Sequence, residues 1–359
     1  MSWMLCIVFL MVEHMNVLIL GANGFIGSHL SEVILSKTDW HVHAMDLASS
    51  NLDACLANER FHFFKGDMTV EKAWIVEHIN KCDVVLPLAA IATPATYVQN
   101  PLRIFELDFE ANIEIIRQCV RLKKRIVFPS TSEVYGMCPD AEFDEEESCL
   151  VTGPIHKERW IYSTSKQLID RVIYAYGKRD GLIYTLFRPF NWYGPRLDNV
   201  FNPKPGGSRV LTQFIGNILR GENITLVNGG EQKRCFLHID DGISALIKII
   251  ENKNDCARNK IFNVGNPKEN ISIRYLAELL IQLIKNYPHY ADAASKAKLI
   301  TADAEQYYGA GYQDVVLRVP SIHRAESELN WHPSIDLEDG LKRTLDFYLH
   351  STRFSTTDS

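Results

Sequence analysis

The chain has 359 residues, 46% of them hydrophobic, which is enough to bury a large core in one domain or in two intimately joined domains. Its 38 basic and 44 acidic side chains give a net charge of −6, which argues against nucleic acid or an anionic membrane as the main partner. The eight cysteines form no Cys-x-x-Cys pair and have no paired histidines nearby. The sequence therefore predicts reduced thiols in a cytoplasmic protein, with no metal site.

An apolar run at residues 4–12 precedes the first predicted strand. We do not interpret it as a signal peptide, because it is too short to span a bilayer and has neither a basic flank nor a small-residue cleavage site. We interpret residues 1–14 as an N-terminal extension or a misplaced start, and residues 351–359 as a loose polar tail.

A glycine-rich turn follows the first predicted strand, residues 17–20, and leads into a predicted helix at 28–36. Glycines permit a tight turn, and the helix N-terminus offers N–H groups to a pyrophosphate. About twenty residues later a second strand ends at Asp46, where a carboxylate can bind a ribose diol and repel a 2′-phosphate. These features favour NAD over NADP, although an ordinary strand-to-helix turn beside a solvated Asp46 is the alternative. The predicted contacts are Gly21, Asn23, Gly24, Phe25, Ile26, Gly27 and Asp46.

Apolar strands continue to alternate with helical segments as far as Arg188. This alternation predicts an α/β fold, a Rossmann-type doubly wound parallel sheet over residues 15–190. After the third strand, Asp67 could hold the adenine, but Gly-Asp is also common turn chemistry, and both readings stay open. The predicted strands are 17–20, 41–45, 61–64, 84–88, 125–130 and 184–188.

The regular alternation fails after Asn191, where a long loop rich in proline, glycine and asparagine begins. We expect residues 191–350 to form a smaller mixed α/β substrate-binding lobe, from which a strand could return to the first domain. Its predicted helices are 208–220, 241–251 and 273–285, and its predicted strands are 225–227 and 261–264. The loops at 88–94, 130–135 and 188–194 follow parallel strands, so we expect them to converge on one cleft.

Two short stretches supply groups for redox chemistry on an alcohol. Thr131, Ser132 and Glu133 follow the fifth strand, and Tyr162 and Lys166 lie four residues apart in a predicted helix. That spacing puts both side chains on one helix face, where the ammonium can favour the phenolate and make the phenol a base. Taken alone, such a pair is more often core packing with a solvated lysine, and Glu133 could merely cap a turn.

Together these motifs resemble the extended short-chain dehydrogenase/reductase family of nucleotide-sugar enzymes. Within it, the chain resembles the UDP-glucuronic acid decarboxylase domains of bifunctional polymyxin-resistance enzymes, and more distantly UDP-apiose/UDP-xylose synthases. The motifs that carry the resemblance are residues 88–94, 100–103, 130–136, 159–163, 187–192, 232–236 and 311–314.

The resemblance implies roles for individual residues. Thr131, Tyr162 and Lys166 would form the oxidising set, and Leu88 would join the cofactor contacts. Glu133 and Arg318, with Ser132 beside them, would handle decarboxylation and the following protonation, although Arg318 could instead form a structural ion pair. The positions that match the sugar-nucleotide pocket are Ala92, Tyr97, Thr131, Arg159, Asn191, Arg234 and Tyr312. Thr225 stands where a lysine is expected, and Arg234 could be an ordinary surface cation.

The implied activity is NAD-dependent oxidation of UDP-glucuronic acid at carbon 4 with loss of carbon dioxide. Release of NADH would leave a UDP-4-keto-pentose, whereas returned hydride would give UDP-xylose or UDP-apiose. An epimerase or dehydratase, and a catalytically silent NAD-binding sensor, are the alternatives. The resemblance also implies a homo-oligomer assembled through helices of the first domain. It further suggests a role in the aminoarabinose modification of lipid A, with a separate formyltransferase and aminotransferase.

Overall fold

The computed structural model describes residues 14–202, 209–304, 307, 313, 315 and 317–350. Its strands are β1 (Asn16–Leu20), β2 (His41–Asp46), β3 (Phe61–Lys65), β4 (Val84–Pro87), β5 (Arg125–Pro129), β6 (Tyr184–Pro189), β7 (Trp192–Tyr193), β8 (Ile224–Val227), β9 (Lys233–Cys235), β10 (Leu237–His238), β11 (Lys260–Val264), β12 (Asn270–Ser272) and β13 (Leu299–Ala302). Each strand predicted from the sequence overlaps one of these, so the alternating pattern located them correctly.

The α-helices are α1 (Phe25–Lys37), α2 (Asp53–Leu56), α3 (Lys72–Lys81), α4 (Pro94–Gln99), α5 (Pro101–Ile104), α6 (Asn112–Leu122), α7 (Trp160–Asp180), α8 (Val210–Leu219), α9 (Ile239–Glu251), α10 (Ile273–Ile284), α11 (Ala291–Lys296), α12 (His323–Leu329) and α13 (Leu337–His350). A π-helix, Phe105–Ala111, joins α5 to α6. Short 3-10 helices occupy Ser132–Tyr135, Asn228–Gly230, Lys253–Asp255 and Pro267–Glu269. No helix in the described part of the chain is both long and apolar enough to cross a membrane.

Seven of the strands form one parallel sheet in the order β11-β6-β5-β4-β1-β2-β3. Side chains of β1 alternate between its two faces, as the period of a strand requires. Val17 and Ile19 pack in one apolar core with α1 and α9, and Leu18 and Leu20 pack in another with α3, α6 and α7. Helices therefore cover both faces, and the predicted doubly wound sheet is confirmed.

A separate apolar core lies among α8, α10 and α13, around side chains such as Phe214, Leu280 and Leu341. Strand β11 comes from the same half of the sequence but pairs with β6, with Phe262 opposite Phe187. A segment beyond residue 190 therefore completes the large sheet. The division of the chain at that residue remains a prediction.

Candidate active site

A cavity of about 610 Å³ lies at the carboxyl ends of the central parallel strands. Ala92, Thr131 and Asn191, from the loops after β4, β5 and β6, contribute to its lining, and Leu211 and Phe214 of α8 contribute from the second core. The three loops expected to converge on one cleft do so, because parallel strands end at the same edge of a sheet.

The cavity brings together most of the predicted catalytic and substrate-binding residues. Those that line it are Ala92, Tyr97, Thr131, Ser132, Glu133, Arg159, Tyr162, Asn191, Arg234 and Arg318. Two predicted cofactor contacts, Phe25 and Ile26, also line it. Lys166 and the other predicted cofactor residues lie outside this lining. Tyr312 falls outside the described residues.

Tyr162 and Lys166 share one face of α7, as their spacing predicted. The Lys166 ammonium lies 5.9 Å from the centre of the Tyr162 ring and donates a hydrogen bond to the Pro129 carbonyl at 3.1 Å. Tyr97 stacks on Tyr162 with ring centres 4.6 Å apart and planes 7° from parallel. Both tyrosines and the lysine are buried, so the position of the phenol is fixed by packing.

The charge state of Tyr162 differs from the expectation. Burial raises the pKa of the phenol well above its ordinary value, and the charges of Asp108 and Glu133 raise it further. A hydrogen bond with Thr131 acts in the opposite direction without reversing the shift. The sequence argument gave Lys166 the leading effect on this phenol, whereas in the fold desolvation dominates. The protein's own groups therefore keep Tyr162 protonated at neutral pH.

Glu133 lies between two guanidinium groups. It occupies the 3-10 helix after β5, where its backbone N–H donates to Thr131 Oγ1 at 3.2 Å. One carboxylate oxygen is 2.5 Å from the Arg159 guanidinium, and the other forms an ion pair with Arg318. The Glu133 side chain therefore does not cap the turn, because it is engaged by arginines.

The two arginines determine the charge of Glu133. Burial alone would raise the pKa of this carboxyl, but the charges of Arg318 and Arg159 outweigh it and lower the pKa to about 2. Glu133 is therefore a carboxylate at neutral pH and can accept a hydrogen bond or a proton. It is not a reservoir of acid protons in that range.

Arg318 reaches the site through a short backbone pairing. Phe143 donates its N–H to the Val319 carbonyl at 2.7 Å, and Ser321 donates to the Phe143 carbonyl at 2.9 Å. This pairing anchors the residues that directly follow Arg318, whose side chain is only 6% exposed. The ion pair proposed as the alternative role for Arg318 is present, and it lies inside the cavity.

The glycine-rich turn has the shape that a dinucleotide phosphate needs. Gly21 has a φ of +91°, and a Cβ there would lie 2.6 Å from the Ala89 nitrogen. A Cβ on Gly27 would lie 2.4 Å from the Gly21 carbonyl oxygen, so neither position admits a side chain. Helix α1 begins directly after Gly24 with no acidic residue in its first turn, which leaves its N-terminus suited to an anion.

Asp46 lies beside this turn, where its Oδ2 accepts the Asn23 N–H at 2.9 Å. Burial raises the pKa of Asp46, while hydrogen bonds from backbone N–H groups counteract the rise. A partly buried carboxylate next to the glycine turn fits a ribose diol and disfavours a 2′-phosphate. These residues therefore fit NAD.

Known protein families and solved structures agree with this fold. A profile of the NAD dependent epimerase/dehydratase family matches residues 17–265. This chain belongs to that family. Its membership confirms the resemblance to extended short-chain dehydrogenases, and NAD is the cofactor of the family, as predicted.

Solved structures show the same relationship. The PbgP3 protein from Burkholderia pseudomallei is 54% identical, with a TM-score of 0.85, over 94% of this chain and 96% of that one. The dTDP-glucose 4,6-dehydratase DesIV from Streptomyces venezuelae, solved with NAD and TYD bound, is 22% identical, with a TM-score of 0.78, over 95% and 98%. The UDP-glucose 4-epimerase from Thermus thermophilus, solved with NAD, is 23% identical, with a TM-score of 0.74, over 93% and 99%. The last two similarities establish the fold alone.

The predicted contacts of Asp67 and Leu88 with NAD remain predictions. Asp67 Oδ1 accepts hydrogen bonds from the Thr69 N–H at 2.8 Å and hydroxyl at 2.7 Å, and these bonds lower the pKa of Asp67. They favour the turn interpretation over an adenine contact. Leu88 donates its N–H to the Leu20 carbonyl and lies close to Gly21 at the end of β4.

Residues from the second half of the chain also line the cavity. Arg234 lines it from β9, and Thr225, at the position of the expected lysine, lines it from β8. The Asn191 side-chain amide donates to the Cys235 carbonyl at 3.1 Å, which ties the loop after β6 to β9. In this geometry Asn191 joins two walls of the pocket.

Several lining residues escaped the sequence analysis. Arg209 and Gln213 lie four residues apart at the start of α8, and Gln213 donates to the hydroxyl of Tyr307. Two polar side chains four residues apart at the start of a mainly apolar helix were the available signal. Gln232 and Phe236 also line the cavity, next to the predicted Arg234.

Proposed function

We propose that this chain catalyses the NAD-dependent oxidative decarboxylation of UDP-glucuronic acid to a UDP-4-keto-pentose. The observation that carries the proposal is the pair of buried guanidiniums, Arg159 and Arg318, on either side of Glu133 in the cavity that also contains Tyr162. Two cations beside a reactive phenol suit a sugar that carries a carboxylate close to the hydroxyl being oxidised. An uncharged hexose would make no use of this charge.

Both arginines can contact a substrate carboxylate while they hold Glu133. A guanidinium carries five N–H donors in a planar fork, so one cation can bind two carboxylates at the same time. Glu133 keeps the buried cations neutralised, which lowers the cost of having two positive charges in one pocket. We therefore propose that the primary role of Glu133 and Arg318 is to orient the carboxylate of the substrate.

The first step is oxidation at carbon 4. NAD, when bound, supplies the hydride acceptor together with a positively charged ring. Tyr162 acts in this step as the phenolate, which the positive charge of the bound cofactor would favour against the effect of burial, and it takes the proton of the carbon-4 hydroxyl. Thr131, its hydrogen-bond partner, holds the phenolate oxygen in place. Lys166 adds a positive charge below the tyrosine ring. The product of this step is a 4-keto sugar.

Decarboxylation follows from the position of the new ketone. The carboxylate is then β to a carbonyl, so breaking its bond to carbon 5 moves the electron pair into an enolate. The protonated Tyr162 and Thr131 donate hydrogen bonds to the developing oxyanion. Arg318 holds the carboxylate until carbon dioxide leaves. Glu133 with Ser132 orients a water that gives a proton to carbon 5, and the proton that Tyr162 took from the carbon-4 hydroxyl neutralises the hydroxide left behind.

The test is incubation of the protein with NAD and UDP-glucuronic acid labelled at carbon 6. Labelled carbon dioxide and an equal amount of NADH support the 4-keto-pentose product, whereas carbon dioxide without NADH indicates UDP-xylose or UDP-apiose. Tyr162→Phe is the matched control and should release neither. Substrate that binds without releasing carbon dioxide would contradict the proposal.

We also propose a homo-oligomer built on the helices of the first domain. Leu102 of α5 is 71% exposed, and Leu168 of α7 is 47% exposed, on helices that contact each other. Exposed apolar side chains on neighbouring helices are typical of an interface. The role in aminoarabinose modification of lipid A, with a separate formyltransferase and aminotransferase, rests on the resemblance and is part of the same proposal.

A further inference from the structure

A carboxylate that the proposed chemistry does not use lies directly beneath the cavity. Asp108 is fully buried in the π-helix between α5 and α6. Its Oδ2 accepts the Ile91 N–H at 3.1 Å, and its Oδ1 lies 3.6 Å from the Lys166 ammonium. Among the described residues, Oδ1 has no hydrogen-bond partner closer than that ammonium. Asp108 therefore touches both the loop after β4 and the lysine behind Tyr162.

The backbone around Asp108 is built to place it there. A π-helix adds one residue per turn and is frequent at functional sites. The Asn112 side chain, also buried, donates to the carbonyls of Leu107 at 3.1 Å and Asp108 at 3.2 Å, which stabilises the wider turn. An ionised carboxylate inside an apolar core is costly unless a cation compensates for it.

The two buried charges stabilise each other. Burial raises the pKa of Asp108 and lowers the pKa of Lys166, and in each case the charge of the other residue counteracts the shift. The other carboxylate near Lys166 is Asp170, which accepts from Ser130 at 2.7 Å and lies 3.3 Å from Arg188. Asp170 is thus already paired, and Asp108 is the main counter-charge of the lysine.

We propose that Asp108 is a positioning residue for the oxidation step, which keeps Lys166 charged and aimed beneath Tyr162. This inference rests on the proposed function, since it assigns Asp108 a part in that reaction. Its hydrogen bond to Ile91 also fixes the loop that carries Ala92 into the cavity. Asp108 does not itself contact the cavity.

The first test measures stability and needs no activity. In Asp108→Asn the buried lysine loses its main counter-charge, so its pKa in the folded protein falls further below the unfolded value. When the pKa of a lysine is lower in the folded protein than in the unfolded chain, the free energy of unfolding increases as the pH rises between these two pKa values. We therefore expect the urea midpoint of Asp108→Asn to lie below wild type at pH 7, with the deficit reduced by about half at pH 9.5.

Two variants make this result decisive. Glu110→Gln removes the same charge from an exposed position of the same π-helix and should show no such pH dependence. For Lys166→Met we expect the opposite pH dependence. An uncompensated buried carboxylate has a raised pKa, so the loss of stability relative to wild type should grow from pH 4 to pH 7. That variant decides the question if Asp108→Asn does not fold. A deficit that is independent of pH in either variant would overturn the proposal.

The second test is the pH profile of NADH formation. Asp108→Asn should lose kcat at alkaline pH earlier than wild type, by about one pH unit or more, because Lys166 loses its proton there. The acid limb of the profile should move to lower pH, because the charge of Asp108 also raises the pKa of Tyr162. A uniform fall in kcat with an unchanged profile would indicate a merely structural role. If wild type fails to oxidise UDP-glucuronic acid, the proposed function fails, while the stability series still decides whether Asp108 holds the charge of Lys166.

Discussion

At the scale of single residues, the charge of each active-site group is set by neighbours that are distant in the sequence. Glu133 is ionised because Arg159 and Arg318 outweigh its burial, and the pKa of the Tyr162 phenol is raised by burial and by the charges of Asp108 and Glu133. A carboxylate and a phenol in one cavity therefore have opposite protonation tendencies. This division suits a reaction in which the tyrosine handles protons and the glutamate orients cations.

Replacement of Arg318 by methionine tests the carboxylate contact. A hydrogen bond to a charged group contributes about 1.5–3 kcal/mol, so we expect UDP-glucuronic acid to bind roughly tenfold to a hundredfold more weakly. UDP-xylose has no carboxylate, and its affinity should change little. Calorimetric titration of both nucleotides into each protein gives the comparison.

The matched control is Arg234→Met, in the lining of the same cavity, where we expect the cation to contact the diphosphate. It should weaken both nucleotides equally, since they share the diphosphate. If Arg318→Met weakened the binding of both nucleotides equally, this would show that Arg318 does not contact the substrate carboxylate.

The residue types in the site were predictable from the sequence, but their pairing was not. Glu133, Tyr162 and Lys166 stand in short stretches with recognisable spacing. Arg318 is 185 residues from Glu133 in the chain, and only the backbone pairing beside Phe143 brings it into the cavity. The sequence analysis identified Arg318 by resemblance, and no local pattern could supply its ion pair.

At the scale of elements, the edge of the large sheet contains a cluster of histidines. His41 and His43 lie on the same face of β2, and His43 pairs in register with His62 of β3. The ring of His43 lies 4.8 Å from that of His62 and 5.4 Å from that of His78 on α3. Burial and these neighbouring rings lower the pKa of His43 to about 4, and the pKa of His41 is also lowered.

This cluster predicts acid sensitivity of the fold. Because the pKa of His43 is about 4 in the folded protein and near 6.5 when unfolded, the unfolded chain binds more protons between these values. Stability should therefore fall as pH decreases from about 6.5 to about 4. His43→Phe keeps a ring that cannot titrate, so its urea midpoint should fall less than that of wild type over this range.

The pKa of His29 is also lowered to about 4, so His29 contributes to the acid response of both proteins. The contribution of His43 is therefore the difference in urea midpoint between wild type and His43→Phe at each pH. His332→Phe, at an exposed position, is the control and should follow wild type. An identical pH response of His43→Phe and wild type would exclude His43 as the cause.

The elements themselves were predicted with uneven success. Strands of the parallel sheet are apolar on both faces, so they read clearly as short hydrophobic runs. The π-helix at Phe105–Ala111 was missed, since the sequence around Asp108 is an ordinary helical pattern. Strand β11 was located, but its place beside β6 depends on a long connection that no local signal encodes.

At the scale of the whole molecule, the cavity depends on two apolar cores. Tyr162 and Thr131 come from the sheet side, and Phe214 comes from the second core. The sequence predicted that the ends of the parallel strands would form a cleft, because this follows from sheet topology. It did not predict which face of α8 would complete the cleft, since that depends on how the second core packs.

The proposed oligomer gives a prediction at this scale. The double variant Leu102→Glu and Leu168→Glu puts charges into the exposed apolar surface of α5 and α7, so it should sediment as a monomer while wild type sediments as a dimer or larger. Val70→Glu, at a position 68% exposed away from these helices, is the control and should keep the wild-type mass. A double variant with the wild-type mass would place the interface elsewhere.

The most direct test of the decarboxylation mechanism is 13C NMR of the wild-type reaction with UDP-glucuronic acid labelled at every sugar carbon, in the presence of NAD. We predict that the carbon-6 signal moves to carbon dioxide and bicarbonate, and that the remaining nucleotide sugar has five labelled carbons. A product that retains all six carbons, with only the configuration at carbon 4 changed, would contradict it and indicate an epimerase.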